Sequence, residues 1–193
     1  MSYSMEAVFV RTVLIAIVFS AAATAFLVAQ AQPQSQAAAA PTPQQMMGYF
    51  AGDWKLTGTA KISPSGPSTP YSATEHGEWL PGGYFLEIRS KSHGPLGDVH
   101  GVRMLEYNSG KNLYTYNAYN SLGEHQIGIC KVQGGSWVWS ADEKMNGVIT
   151  EGRYTVTLTS PNAYNFKSEV RKPAGGWATV MEGTATRVPP PSQ

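Results

Sequence analysis

Gly52-Asp53-Trp54-Lys55-Leu56-Thr57-Gly58-Thr59-Ala60-Lys61-Ile62 is the stretch whose reading decides the fold. Trp54, Leu56, Gly58, Ala60 and Ile62 fall on one side, and Asp53, Lys55, Thr57, Thr59 and Lys61 on the other. Strict alternation with period two marks a strand with one dry face and one wet face. Working outward, further strands are predicted over 72–80, 84–92, 99–107, 112–119, 124–133, 136–141, 148–159, 163–171 and 177–188. Pro81-Gly82-Gly83, Asn108-Ser109-Gly110, Gly134-Gly135, Asn146-Gly147 and Ser160-Pro161-Asn162 turn the chain between them, each a turn signal through Gly, Pro or Asn. Residues 93–97 read as a longer loop. Such a meander has two edges to hide, and closure into a barrel hides both. A two-sheet sandwich is the alternative, and it usually needs longer crossing connections. Upstream, Gln44-Gln45-Met46-Met47-Gly48-Tyr49-Phe50 reads as a short helix whose Met46, Met47 and Phe50 cap one end. The expected fold is all-β: an up-and-down antiparallel barrel of about ten strands with a short N-terminal capping helix.

The 193 residues suit one domain with a sizeable core. Charged residues are 14% of the chain and the net charge is +1, so there is no basic stripe for nucleic acid. Cys130 is the single cysteine, which excludes an intrachain disulfide and a cysteine-based zinc cluster within one chain. It reads as a small apolar residue inside a strand. Residues 12–28 are almost wholly apolar and follow Arg11, and Ala29-Gln30-Ala31 is a small-x-small pattern. Residues 1–31 therefore read as a secretory signal peptide, leaving no stable membrane span after cleavage and an exported mature chain. An uncleaved anchor is the alternative, since the run is marginal for spanning. Residues 32–43 are Gln, Ala, Pro and Ser with one Thr, a disordered linker; residues 44–188 form the barrel domain; residues 189–193 are a disordered tail.

From Phe50 to Arg187 the chain resembles a family of bacterial secreted domains of unknown function, related to lipocalin-like and nitrobindin-like β-barrels. The residues that carry the resemblance are Gly52-Asp53-Trp54 and Glu78-Trp79-Leu80-Pro81-Gly82-Gly83-Tyr84-Phe85-Leu86. Gly101 with Tyr107 and Lys111 with Tyr114 extend it. The resemblance implies a fold more than an activity. It also implies that a cation from the last strand packs across the opening Trp. Arg187 is the candidate for that role, so Gly52, Trp54 and Arg187 form a closure set. Nitrobindin-like barrels hold haem through a His late in the chain. The histidines here are His76, His93, His100 and His125, and none lies beyond the sixth strand. The haem ligand does not carry over, and no cofactor is expected.

His76 and Glu78 share a strand face, and with His125 they have the residue types of a metal site. The plainer reading is that Glu75, His76 and Glu78 are a polar set at an edge, so no metal is expected. There is no Gly-x-Ser-x-Gly, no His-Glu-x-x-His and no phosphate loop before a helix. The aromatic strand residues say more. Trp79, Tyr114, Tyr116, Trp137, Trp139, Tyr154, Tyr164 and Phe166 lie in predicted strands, and about half should face inward. An aromatic interior with a few polar tips suits a small hydrophobic or amphipathic ligand. The candidate ligand-binding residues are Trp79, Tyr114, Tyr116, His125, Trp137 and Trp139. Two other readings stay open: a solid-core module that meets protein partners of the cell envelope through its rim, and an enzyme with an internal His/carboxylate set. If the helix seals one end, a ligand enters at the other.

Overall fold

A computed structural model describes residues 40–145 and 148–190. The signal-peptide reading of 1–31, most of the linker (32–39) and the end of the tail (191–193) lie outside the described residues. The chain opens with α1 (Pro43–Met47) and a turn of 3-10 helix (Gly48–Phe50). Ten strands follow: β1 (Gly52–Ala60), β2 (Thr69–Trp79), β3 (Phe85–Gly94), β4 (Gly97–Asn108), β5 (Leu113–Asn120), β6 (His125–Gln133), β7 (Ser136–Met145), β8 (Val148–Ser160), β9 (Ala163–Arg171) and β10 (Trp177–Arg187). Each pairs antiparallel with the next, and β1 pairs with β10, which closes the barrel. The seam register sets Trp54 against Arg187, Leu56 against Ala185 and Gly58 against Gly183.

Most differences from the predicted strands are of a few residues, and each has a local cause. Residues 93–97 are no long loop: β3 runs to Gly94 and β4 starts at Gly97, so Pro95 and Leu96 make a two-residue turn. Gly97, at φ +78°, supplies the left-handed conformation that such a turn needs. β1 ends at Ala60, and Ile62 lies half exposed in the following loop. β7 runs on to Met145, past the predicted end at Ala141; all ten of its residues pair with β8.

Alternation decides what is inside. Along β1, Trp54, Leu56 and Ala60 are buried, while the intervening residues are exposed or half exposed. Trp137 and Trp139 on β7 and Tyr164 and Phe166 on β9 are buried by the same rule. So are Tyr114, Tyr116 and Cys130. Burial pushes the Cys130 thiol up to about 12. The expectation that about half of the aromatics face inward understates the packing. Tyr114, Tyr116, Trp137, Trp139, Tyr164 and Phe166 are buried in the core, and Trp79 and Tyr154 pack against it.

The base is plugged by the N-terminal segment. Thr42 caps α1: its hydroxyl accepts from the Gln45 amide at 3.2 Å, and its own amide donates to the Gln45 side chain at 2.8 Å. Pro43 follows in the first turn, where no amide is missed. Met47 is fully buried and Phe50 nearly so. Phe50 meets Trp137 edge-on at 5.1 Å, and the Tyr114 hydroxyl donates to the Pro43 carbonyl at 3.1 Å. Arg187 lies over the Trp54 ring at 4.3 Å and donates to the carbonyls of Ala51 and Tyr49. One guanidinium thus joins β10, β1 and the plug, its stacking contributing roughly 0.5–2 kcal/mol.

Candidate functional site

Inside the barrel is a cavity of about 210 Å³. Aromatic and aliphatic side chains wall it: Phe50, Leu56, Tyr71, Ile88, Leu105, Tyr116, Trp139, Tyr154, Val156 and Tyr164. Three ionisable side chains of opposed sign also line it, Glu75, Arg103 and Glu143, together with Gln126 and Ser168. That volume is close to the 150 Å³ or so of an engineered apolar cavity that takes up benzene, and below the roughly 300 Å³ at which drug-sized pockets begin. It suits one ring with a short substituent.

The strand direction gives the depth of each group. Trp137 meets Phe50 of the plug, so the start of β7 is at the base. Glu143 lies six residues further along β7, roughly 20 Å at the rise of a strand. It therefore sits toward the open end. Tyr107 stands beside Tyr114 at the base, and Arg103 is four residues back along β4, roughly 13 Å away and near mid-depth. In the strand order, β2 and β7 are separated by four strands whichever way round the ring is taken. Glu75 and Glu143 therefore stand on opposite walls.

At mid-depth Arg103 donates to Glu75. The Glu75 side chain keeps 10% exposure and Arg103 31%. The Arg103 Nε is buried with no hydrogen-bond partner among the described residues. Burial alone would weaken the guanidinium's hold on its proton. The Glu75 carboxylate and the oxygens of Tyr154, Tyr164 and Tyr71 more than reverse that, so its pKa is raised and it stays charged. The phenols of Tyr154, Tyr164 and Tyr71 are held neutral, chiefly by burial and further by the Glu75 charge.

Toward the mouth the Tyr116 hydroxyl donates to the Gln126 side chain at 2.5 Å, and Glu143 lies on the next strand. Burial is the main cause that raises the Glu143 carboxyl above its ordinary range; the Gln126 amide opposes this, and the charge of Glu124 adds to it. Two inward glycines make room here. A Cβ on Gly128 would come within 2.2 Å of the Tyr116 ring, and one on Gly152 within 2.1 Å of the Glu143 side chain. Each glycine is the seat on which a cavity side chain lies.

Of the six residues singled out from sequence for ligand contact, Tyr116 and Trp139 line the cavity. Tyr114 and Trp137 are packed at the plugged base, 4.6 Å apart between ring centres. Trp79 is half buried, with its indole edge 3.6 Å from where a Cβ of Gly48 would be. His125 is placed otherwise than expected: it is exposed, and its ring stacks on Tyr119 at 4.5 Å on the outer face. His76 also faces out, with its Nδ1 2.7 Å from Asp53. The enzyme reading needed one of these two histidines inside beside a carboxylate, and neither is there. No three His, Cys, Asp or Glu side chains converge on a metal-sized site among the described residues. The polar set Glu75, His76 and Glu78 splits by parity: His76 and Glu78 face solvent, while Glu75 turns inward.

Sequence reasoning missed Glu75, Arg103, Gln126 and Glu143. The signal that finds them is phase; Gln126, for one, shares the parity of the buried Gly128 and Cys130. Glu75 shares the parity of Ala73 and Gly77, and Arg103 that of Leu105, both core phases. Glu143 shares the parity of Trp137 and Trp139, once β7 is known to run that far.

A closed antiparallel barrel, plugged at one end and hollow toward the other, is the class that this fold and cavity define. The chain belongs to the family "Protein of unknown function (DUF1579)", whose model matches residues 40–187. Among curated proteins nothing matches. Solved structures with a similar fold include the S-type phycobiliprotein lyase CPES from Guillardia theta, at 10% identity and TM-score 0.53 over 78% of this chain and 100% of that one. Rv2717c from M. tuberculosis is similar to the same degree: 10% identity, TM-score 0.53, and 78% and 100% of the two chains.

Proposed function

We propose that this is an exported barrel that binds one small amphipathic molecule, taken in through the end opposite the plug. The observation that carries the reading is the cavity: about 210 Å³, walled by aromatic rings, with polar side chains at two depths. A solid-core module has no use for an interior ion pair beside empty volume, whereas a binder uses such groups to orient its guest. Tyr116 and Trp139 are the aromatic contacts retained from the sequence-derived set. Arg103, Glu75 and Glu143 are the polar ones added to it. Export is supported by the apolar run 12–28 and the Ala29-Gln30-Ala31 pattern.

Native mass spectrometry of the purified chain mixed with a library of single-ring and short-chain amphiphiles tests the binding. Retained adducts at one equivalent are expected, and they should disappear in Ala141→Trp, which fills the cavity from β7. An empty spectrum, with no quenching of tryptophan fluorescence, defeats the reading. For export, N-terminal sequencing of protein from the cell envelope or medium should begin at Gln32. A chain that still carries the apolar run rules out cleavage.

A further inference from the structure

The cavity's charges do not balance. Glu75 and Glu143 face one cation, Arg103, and Arg103 is already engaged by Glu75. Setting two carboxylates against one guanidinium leaves one negative charge over, and it belongs to Glu143. No cationic side chain among the described residues forms an ion pair with Glu143. A half-buried carboxylate facing a largely apolar cavity either takes up a proton or awaits a cation.

The surroundings favour the cation. Tyr116 and Trp139 line the same cavity, their rings edge to face at 5.5 Å. The faces of such rings attract ammonium groups and not carboxylates. The electrostatics of Tyr116 register the same polarity: after burial, Glu143 raises its phenol and Arg103 lowers it. Arg103 and Glu75 cancel at mid-depth, so the uncompensated charge is at Glu143, and an ammonium head is drawn there. Its apolar body then points inward, toward Leu105, Tyr154 and Val156.

Resting on the reading of the cavity as a binding site, we infer that the ligand is a small organic amine, with its ammonium group seated on Glu143 at the mouth and a ring or short chain inside. Glu143 sets specificity, and Gly152 is the residue that gives it room.

Three probes of one shape test this: 2-phenylethylamine, 2-phenylethanol and 3-phenylpropionate, each titrated by calorimetry and by tryptophan fluorescence. The amine is expected to bind about tenfold or more tighter than the alcohol, as a hydrogen bond to a charged group implies. The acid should bind weakest. In Glu143→Gln the preference for amine over alcohol should collapse, and a far-UV circular dichroism spectrum matching that of wild type reports that the variant is folded. Equal or tighter binding of the alcohol or the acid overturns the amine assignment while leaving the cavity a binding site. An amine preference that survives in Glu143→Gln overturns the anchoring role. If none of the three binds, the amine assignment and the single-ring binding site fall together. If Ala141→Trp binds the amine as well as wild type, the amine sits elsewhere and the inference fails.

Discussion

The residues that bear most weight are the charged ones inside. Glu75 and Arg103 were taken out of water together, so their pairing compensates a desolvation that neither could bear alone. Glu75→Gln should therefore destabilise the barrel by about 3–5 kcal/mol, read from urea denaturation, because it strands the Arg103 charge. The double variant Glu75→Leu/Arg103→Met should recover most of that loss; a double variant as unstable as the single one contradicts the account. Two other carboxylates should show opposite pH dependences. Burial raises the Glu143 carboxyl, so its stabilising share is present below the ordinary carboxylate pKa, about 4.3, and is lost as pH rises through its own higher value. Glu143→Gln should accordingly be more stable than wild type at neutral pH and equal to it in acid. Glu169 is the reverse case. Burial pushes it up, but the hydrogen bond and charge of Arg153, with Lys167, hold it below the ordinary range. Its share is present above about 4.3 and is lost as pH falls through its lowered value. Glu169→Gln should thus be less stable than wild type at neutral pH and converge with it in strong acid, which chemical denaturation across that range will show.

At the scale of elements, the closure of β1 on β10 depends on close approach. Gly58 faces Gly183 across the seam, and a Cβ on Gly183 would lie 2.1 Å from the Thr57 carbonyl and 2.7 Å from the Gly58 Cα. Gly183→Ala should destabilise the fold by about 1–3 kcal/mol in thermal or urea melts, through forced separation of the two strands. The fold was legible in sequence because period-two alternation and turn residues are local facts. Trp54 through Ala60 show their dry face without help, and β9 falls on its predicted bounds. The Met47–Phe50 plug was also legible, as apolar residues ahead of the first strand. The site was less so. Tyr116 and Trp139 could be found as inward aromatics, but Tyr114 and Trp137 are equally inward and lie at the base. Depth along the barrel axis depends on which hairpin meets the plug, and alternation has no axis. His125 drew attention by its chemistry, yet its phase puts it outside beside Tyr119. Glu75 reads with His76 and Glu78 as one polar set at an edge, although its phase alone sends it inward.

For the whole molecule, the arrangement divides labour between two ends. The plugged base carries the packing, through Met47, Phe50, Trp54, Trp137 and Tyr164, and the hollow part carries polarity. That division lets the cavity tolerate Glu75, Arg103 and Glu143, since stability is concentrated elsewhere. Trp54→Ala, at the centre of the base, should cost about 3–5 kcal/mol while leaving the cavity walls in place. The seam carries a further consequence, for time and not for stability. Nine of the ten strand pairings join neighbours in the chain, and the tenth brings Trp54 to Arg187 across the whole domain. Joining such distant segments has the largest loop-closure entropy to overcome. The ring should therefore zip through its hairpins first and meet at β1 and β10 last. In stopped-flow chevrons, Gly183→Ala should speed unfolding and leave refolding nearly unchanged, whereas Trp139→Phe in the central hairpin should slow refolding. Slower refolding in the seam variant would mean that the barrel nucleates at its join.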